Sequence, residues 1–244
     1  MKNLFRTIVS RLTRRSNEEI KALEEFLNNA YKENSLSPEE AKKNLEQGLI
    51  EIEVDGKHSS NGLLITNDGY FLTSRHCVDD GIEEAKIKLH DGSTYKIDRE
   101  CIHNKLEDIA LAKAEIPVKP SPRAYSFHTE EMNEQTPLRL MTRRRGLLVD
   151  NYGFVDKKYK GYFFVHHLVN AFKQNFHYGD GNISLNFVTK KGDSGGILID
   201  SDYKVIGILW GGSPEQIDRL GLATKSIKAL ELVKYYKEHY KKKH

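Results

Sequence analysis

The chain is short of cysteine, of long apolar runs and of charge of one sign, and each shortage closes off a class of protein. Only Cys77 and Cys101 occur in 244 residues, too few for a disulfide framework, and both are read as free thiols. No apolar stretch approaches the ~20 residues that cross a bilayer, and no clear secretory signal leads the sequence. The expectation is a cytoplasmic protein with no transmembrane segment. Lys and Arg number 38 against 35 Asp and Glu, and the net charge of +3 is too mild to imply nucleic acid. Basic residues gather only in short runs, Arg143-Arg144-Arg145 and Lys241-Lys242-Lys243, which read as solvated surface. A nucleic-acid binder would carry a continuous basic stripe or interleaved aromatics, and neither is present. The histidines, including the His166-His167 pair, show no metal-ligand spacing with acids or cysteines, so no metal and no other cofactor is expected.

What is there fits a globular protein with a polar surface: 38% hydrophobic and 30% charged residues, in a length that suits one double-barrel domain. The first 47 residues read as helical. Ser16-Asn17-Glu18-Glu19 and Ser37-Pro38-Glu39-Glu40 each place a capping serine before acids in a first turn. Ahead of them, Phe5, Ile8, Val9 and Leu12 at helical spacing among Lys2, Arg6, Arg11, Arg14 and Arg15 make a basic amphipathic segment. It suits a partner, a membrane surface or a targeting role, or a helix packed on the rest of the fold. Residues 1–47 are therefore set apart as an extension, dispensable for forming the barrels.

From Gly48 the period changes to two. Strands are predicted at 48–54, 61–66, 70–74, 84–89, 94–102 and 108–114, with Asn67-Asp68-Gly69 and Asp91-Gly92 as turn signals. A second set is predicted at 137–142, 145–155, 161–169, 182–188, 196–200, 203–210 and 219–224, and a closing helix at 225–240.

Chemistry concentrates in Gly192-Asp193-Ser194-Gly195-Gly196. A serine hydroxyl attacks amides poorly unless a base stands beside it and donors await the oxyanion. Glycines let the backbone turn sharply, so the Gly192 and Ser194 amides can converge on one spot. Upstream stand a β-rich run, Tyr70 to Val78, that contains His76, and the acid Asp108 opening the apolar run Ile109-Ala110-Leu111. Singly, each residue has an ordinary structural reading as a turn or strand-end group. Their joint order, His, Asp, Ser, differs from that of subtilisins and α/β-hydrolases.

Through "LTSRHCV", "EDIAL", "GDSGG" and "VIGILWGG" the sequence resembles the trypsin-like, chymotrypsin-fold serine peptidases. "NGLLITNDGYFLTSRHCV" brings it nearer the compact bacterial HtrA-type and glutamyl-endopeptidase-type branch, without a PDZ domain. The resemblance spans roughly residues 48 to 230 and implies an all-β fold of two six-stranded antiparallel barrels, about 48–120 and 121–224, with N-terminal helices and a C-terminal helix. It implies a serine endopeptidase acting on protein or peptide substrates, with Ser194 as nucleophile, His76 as base and Asp108 as its orienter. The Gly192 and Ser194 amides would form the oxyanion hole. Val188 and Thr189 would line the specificity pocket, opposite Leu209, Trp210 and Gly211. Val188 stands where a trypsin-type pocket needs an acid, and Leu209 where glutamyl endopeptidases carry a histidine, so an uncharged P1 residue is expected. Some relatives stay latent until a new N-terminus pairs with the acid before the nucleophile. Here that acid, Asp193, is expected to bond within its own loop. The competing readings are a peptidase fold used as a binding scaffold, and a latent peptidase activated by a partner.

Overall fold

A computed structural model describes residues 17–32, 36–78, 85–104, 107–155, 182–186, 189–212 and 221–241. The basic segment 1–15, the predicted strand 161–169 and Val188 lie outside the described residues. Two helices lead. In α1 (Asn17–Ala30), Ile20, Leu23, Phe26, Leu27 and Ala30 recur at three- and four-residue spacing and are all buried. In α2 (Pro38–Gly48) the predicted cap forms as a capping box: Glu40 N–H donates to Ser37 Oγ, while Glu40 Oε2 accepts the Ser37 N–H at 2.9 Å.

Six strands follow: β1 (Leu49–Val54), β2 (Lys57–Leu64), β3 (Tyr70–Ser74), β4 (Ala85–Lys88), β5 (Thr94–Asn104) and β6 (Ile109–Ala114). They close antiparallel into a barrel in the order β1-β2-β3-β6-β5-β4. The second barrel comprises β7 (Pro137–Arg144), β8 (Leu147–Val155), β9 (Asn182–Asn186), β10 (Ile197–Ile199), β11 (Val205–Gly212) and β12 (Gly221–Lys225). It closes in the order β10-β11-β12-β9-β8-β7. A last helix, α3 (Ser226–Lys241), ends the described chain. No helix among the described residues is long and apolar enough to cross a membrane.

Each barrel has its own apolar filling, around Ile50, Ile52 and Phe71 in the first and Leu140, Leu185 and Leu198 in the second. A third and larger cluster joins them. It gathers the buried face of α1 with Leu49, Leu63 and Leu72 of barrel one, Met141, Ile197 and Ile208 of barrel two, and Leu230 and Val233 of α3. Helices α1 and α2 thus contribute to the core that the barrels share, although the strand pattern begins only after them. Cys77 is a free, buried thiol inside barrel one.

The solvated-surface reading of Arg143-Arg144-Arg145 holds for the exposed Arg145 and is corrected for Arg143 and Arg144. Arg143 is buried and donates to the carbonyls of Leu49, Glu46 and Gly146, tying β7 to α2 and β1. Arg144 pairs with Asp193. Arg145 and Gly146, both at positive φ, form the two-residue turn to β8. A run at the end of a strand points alternate side chains to opposite faces, which a charge count does not see.

Candidate active site

His76 lies in a single 3₁₀ turn, Arg75–Cys77, that ends β3, and Asp108 lies immediately before β6, the strand paired with β3. That pairing brings two residues 32 positions apart into contact: His76 Nδ1 lies 2.6 Å from Asp108 Oδ2, and the His76 backbone N–H donates to Oδ1 at 3.1 Å. Arg75 N–H donates to the Asp108 carbonyl at 3.0 Å, and its Nε lies 3.6 Å from Oδ1. Asp108 has φ +46°, a left-handed conformation that Asp adopts more readily than most residues. Its side chain is 1% exposed. Burial disfavours a charged His76 ring, but the hydrogen bond to Asp108, then the Cys77 sulfur and the Asp108 charge, outweigh it and raise the ring above the ordinary 6.5.

Ser194 arrives from barrel two, on the loop between residue 189 and β10. The Asp193 N–H closes a turn onto the Lys190 carbonyl at 3.0 Å, with Gly192 at φ +95° in its third position, the signature of a type II turn. A second turn places Gly196 N–H on the Asp193 carbonyl at 2.9 Å. Gly195, at φ +76°, lies so close to barrel one that a Cβ there would come within 1.8 Å of the Asn61 carbonyl oxygen. Only glycine fits.

Barrel one holds this loop through groups that sequence reading did not single out. Asn61 is fully buried and uses every polar group it has. Its backbone N–H donates to the Ser194 carbonyl at 2.7 Å, and its Nδ2 to the Gly192 carbonyl at 2.8 Å. Its Oδ1 accepts the Arg143 N–H, and its carbonyl accepts the Thr73 hydroxyl. Ser74, two residues before His76, donates from Oγ to the Leu209 carbonyl at 2.7 Å and accepts the Gly195 N–H at 3.2 Å. The turn bearing His76 is thereby tied to the residue after Ser194. Ser194 Oγ and the His76 ring do not hydrogen-bond to each other among the described residues. Such catalytic contacts often close only with substrate in place.

Asp193 is 1% exposed, and its carboxylate accepts the Lys190 N–H at 2.7 Å while pairing with Arg144 of β7. Part of its bonding lies within its own loop, and part comes from the neighbouring strand. Thr189 is half-buried at the start of the loop. Leu209 is buried in the filling of barrel two, and its carbonyl is occupied by Ser74 and by Gly195 N–H. Trp210 sits at a bulge between Leu209 and Gly211, its indole N–H donating to Asn182 Oδ1 at 3.0 Å.

Paired barrels with an acid–histidine pair on one and a glycine-bound serine on the other define a chymotrypsin-fold serine peptidase. The chain belongs to the trypsin-like peptidase family: the model of the trypsin-like peptidase domain matches residues 60–208. Solved structures of the same fold include Rv3671c from M. tuberculosis H37Rv in an inactive form. It has a TM-score of 0.58 and 14% identity, over 80% of this chain and 89% of that one. The HtrA-type protease AlgW with a tripeptide matches at TM-score 0.62 and 18% identity, over 84% of this chain and 64% of that one. No curated protein matches the sequence.

Proposed function

We propose that this serine endopeptidase works through an acyl-enzyme built by Ser194, His76 and Asp108. The observation that carries the reading is the Ser74 hydroxyl bridge, which fixes the His76–Asp108 pair against the loop of Ser194 across the barrel boundary. Ser194 Oγ attacks the scissile carbonyl while His76 takes its proton. The same ring then protonates the leaving amine, and water, deprotonated by His76, releases the acyl group and regenerates Ser194. Asp108 holds the ring by Nδ1 and stabilises the imidazolium. The amides of Gly192 and Ser194 receive the oxyanion, and the type II turn sets the first of them.

The substrate is a protein or peptide with an uncharged P1 residue. Val188 and Leu209 supply no charged partner at the pocket, and an unpaired charge buried there costs several kcal/mol. Cleavage of a peptide library by the full-length chain tests this. Cleavage concentrated after uncharged residues, and lost in Ser194→Ala, is expected; dominant cleavage after Arg, Lys or Glu contradicts the pocket assignment.

A further inference from the structure

Behind the loop of Ser194 the structure buries a second acid–histidine pair that the reaction does not use. Glu51 of β1 is fully buried, and its carboxylate accepts the N–H groups of Arg145 and Gly146 in the β7–β8 turn. His58 of β2 stands between that carboxylate and the loop. Its Nδ1 is 3.3 Å from Glu51 Oε2, and its Nε2 is 3.0 Å from the Gly192 carbonyl oxygen. A carbonyl oxygen only accepts hydrogen bonds, so His58 Nε2 carries the proton that binds it. Nδ1 faces the carboxylate at ion-pair distance without hydrogen-bonding to it. The side chains of His58 and Glu51 are 13% and 1% exposed. Of the other charged groups about the loop, Arg143 is engaged with three carbonyls and Arg144 with Asp193, while Lys190 and Lys191 are exposed.

The geometry points to His58 as a positioning residue of the oxyanion loop, clamping the Gly192 carbonyl from barrel one with the Glu51 carboxylate behind the ring. Gly192 has no side chain to restrain it and sits at φ +95°, so bonds to its own carbonyl add to the type II turn in limiting its rotation. Asn61 Nδ2 and His58 Nε2 supply two such bonds. The ring also closes the space beside the glycine, since a Cβ at Gly192 would lie 2.9 Å from His58 Nε2. Held this way, the Gly192 amide is aimed before the substrate arrives, which is what an oxyanion donor requires. The inference rests on the proposed role of the Gly192 and Ser194 amides.

The test uses the full-length chain with His58→Leu, His58→Gln and Glu51→Gln. Nitrogen-15 spectra of the histidine rings are expected to show a proton on His58 Nε2, and Glu51→Gln is expected to shift the resonance of that nitrogen. His58→Leu is expected to shift the Gly192 amide resonance and slow fluorophosphonate labelling of Ser194 about ten-fold, less than the 10²–10³ of deleting an oxyanion donor outright. For peptide cleavage the loss is expected in kcat rather than KM. His58→Gln, which still donates to the carbonyl, is expected to recover most of the rate. Where His58→Leu does not fold, Glu51→Gln carries the same test through the Gly192 amide and the labelling rate. A His58 Nε2 without a proton in the unaltered protein overturns the proposal, as does an unmoved Gly192 amide with labelling within about two-fold of the unaltered rate. If the unaltered protein takes no label, the peptidase reading has failed, and the ring protonation and the Gly192 amide alone decide the clamp.

Discussion

Phe26 is the side chain through which helix α1 enters the shared core, and Phe26→Ala measures how far the barrels depend on it. Its ring is 1% exposed and meets Phe127 edge-on, with centroids 5.7 Å apart and planes at 89°. Phe127 lies in the connection between the barrels and bridges to Val205 of barrel two. Truncating a buried Phe to Ala costs about 3–5 kcal/mol in lost burial and residual cavity, of which the edge-on pair accounts for about 0.5–1.5 kcal/mol. Against a typical total of about 5–15 kcal/mol, that is a large share. Urea unfolding reads it twice, by circular dichroism and by the fluorescence of Trp210, the chain's one tryptophan, which sits on β11 of barrel two. Both transitions are expected to move to lower urea together. A chain starting at Gln47, which also loses Ile20, Leu23, Leu27 and Ala30, is expected not to fold cooperatively. A Phe26→Ala loss under about 1 kcal/mol, with the Trp210 transition unmoved, would make α1 a peripheral attachment rather than part of the shared core.

Arg144→Met leaves the buried Asp193 carboxylate without its cation. Because Arg144 is 27% exposed, the expected loss is about 1–3 kcal/mol, with slower labelling of Ser194, and an unchanged urea midpoint and rate would speak against the pairing. Gly195→Ala forces a Cβ onto the Asn61 carbonyl at positive φ, so the activity is expected to vanish; turnover near that of the unaltered chain would place the loop elsewhere. The raised His76 ring must lose its proton before it acts as base, so cleavage is expected to rise with pH along a limb lying above 6.5. Asp108→Asn removes the largest group raising that ring, so the limb is expected to move to lower pH while kcat falls about 10⁴-fold. A limb that stays in place would sever His76 from Asp108.

The strands were legible because a period of two persists between clear turn signals, and β3 falls at the predicted 70–74. The Ser37 cap was legible because a capping box is local, four residues that bond to one another. His76, Asp108 and Ser194 stood out through short motifs in a known order. What stayed hidden depends on partners far along the chain. Asn61 reaches Gly192 across 131 positions, and Arg143 reaches Leu49 across 94. A strand asparagine and an arginine run carry no local mark of such roles, since the closure of two barrels against each other creates them. The packing of α1 was hidden likewise: its apolar face was readable, but not the surface that receives it. His58 was hidden too: the register sets it opposite Glu53 and sets Glu51 opposite Asn61, so the approach of His58 to Glu51 follows from no simple strand pattern.

If Ser194 is a nucleophile activated by His76, covalent labelling reads that activation on the residue itself. The full-length chain is treated with a fluorophosphonate, digested, and the modified residue located by mass spectrometry. One adduct on Ser194 is expected, absent in Ser194→Ala and slowed by several orders of magnitude in His76→Ala while both variants keep the unaltered circular dichroism spectrum. A folded, unlabelled protein, or labelling of Ser194 that His76→Ala leaves unchanged, would rule out a serine activated by His76.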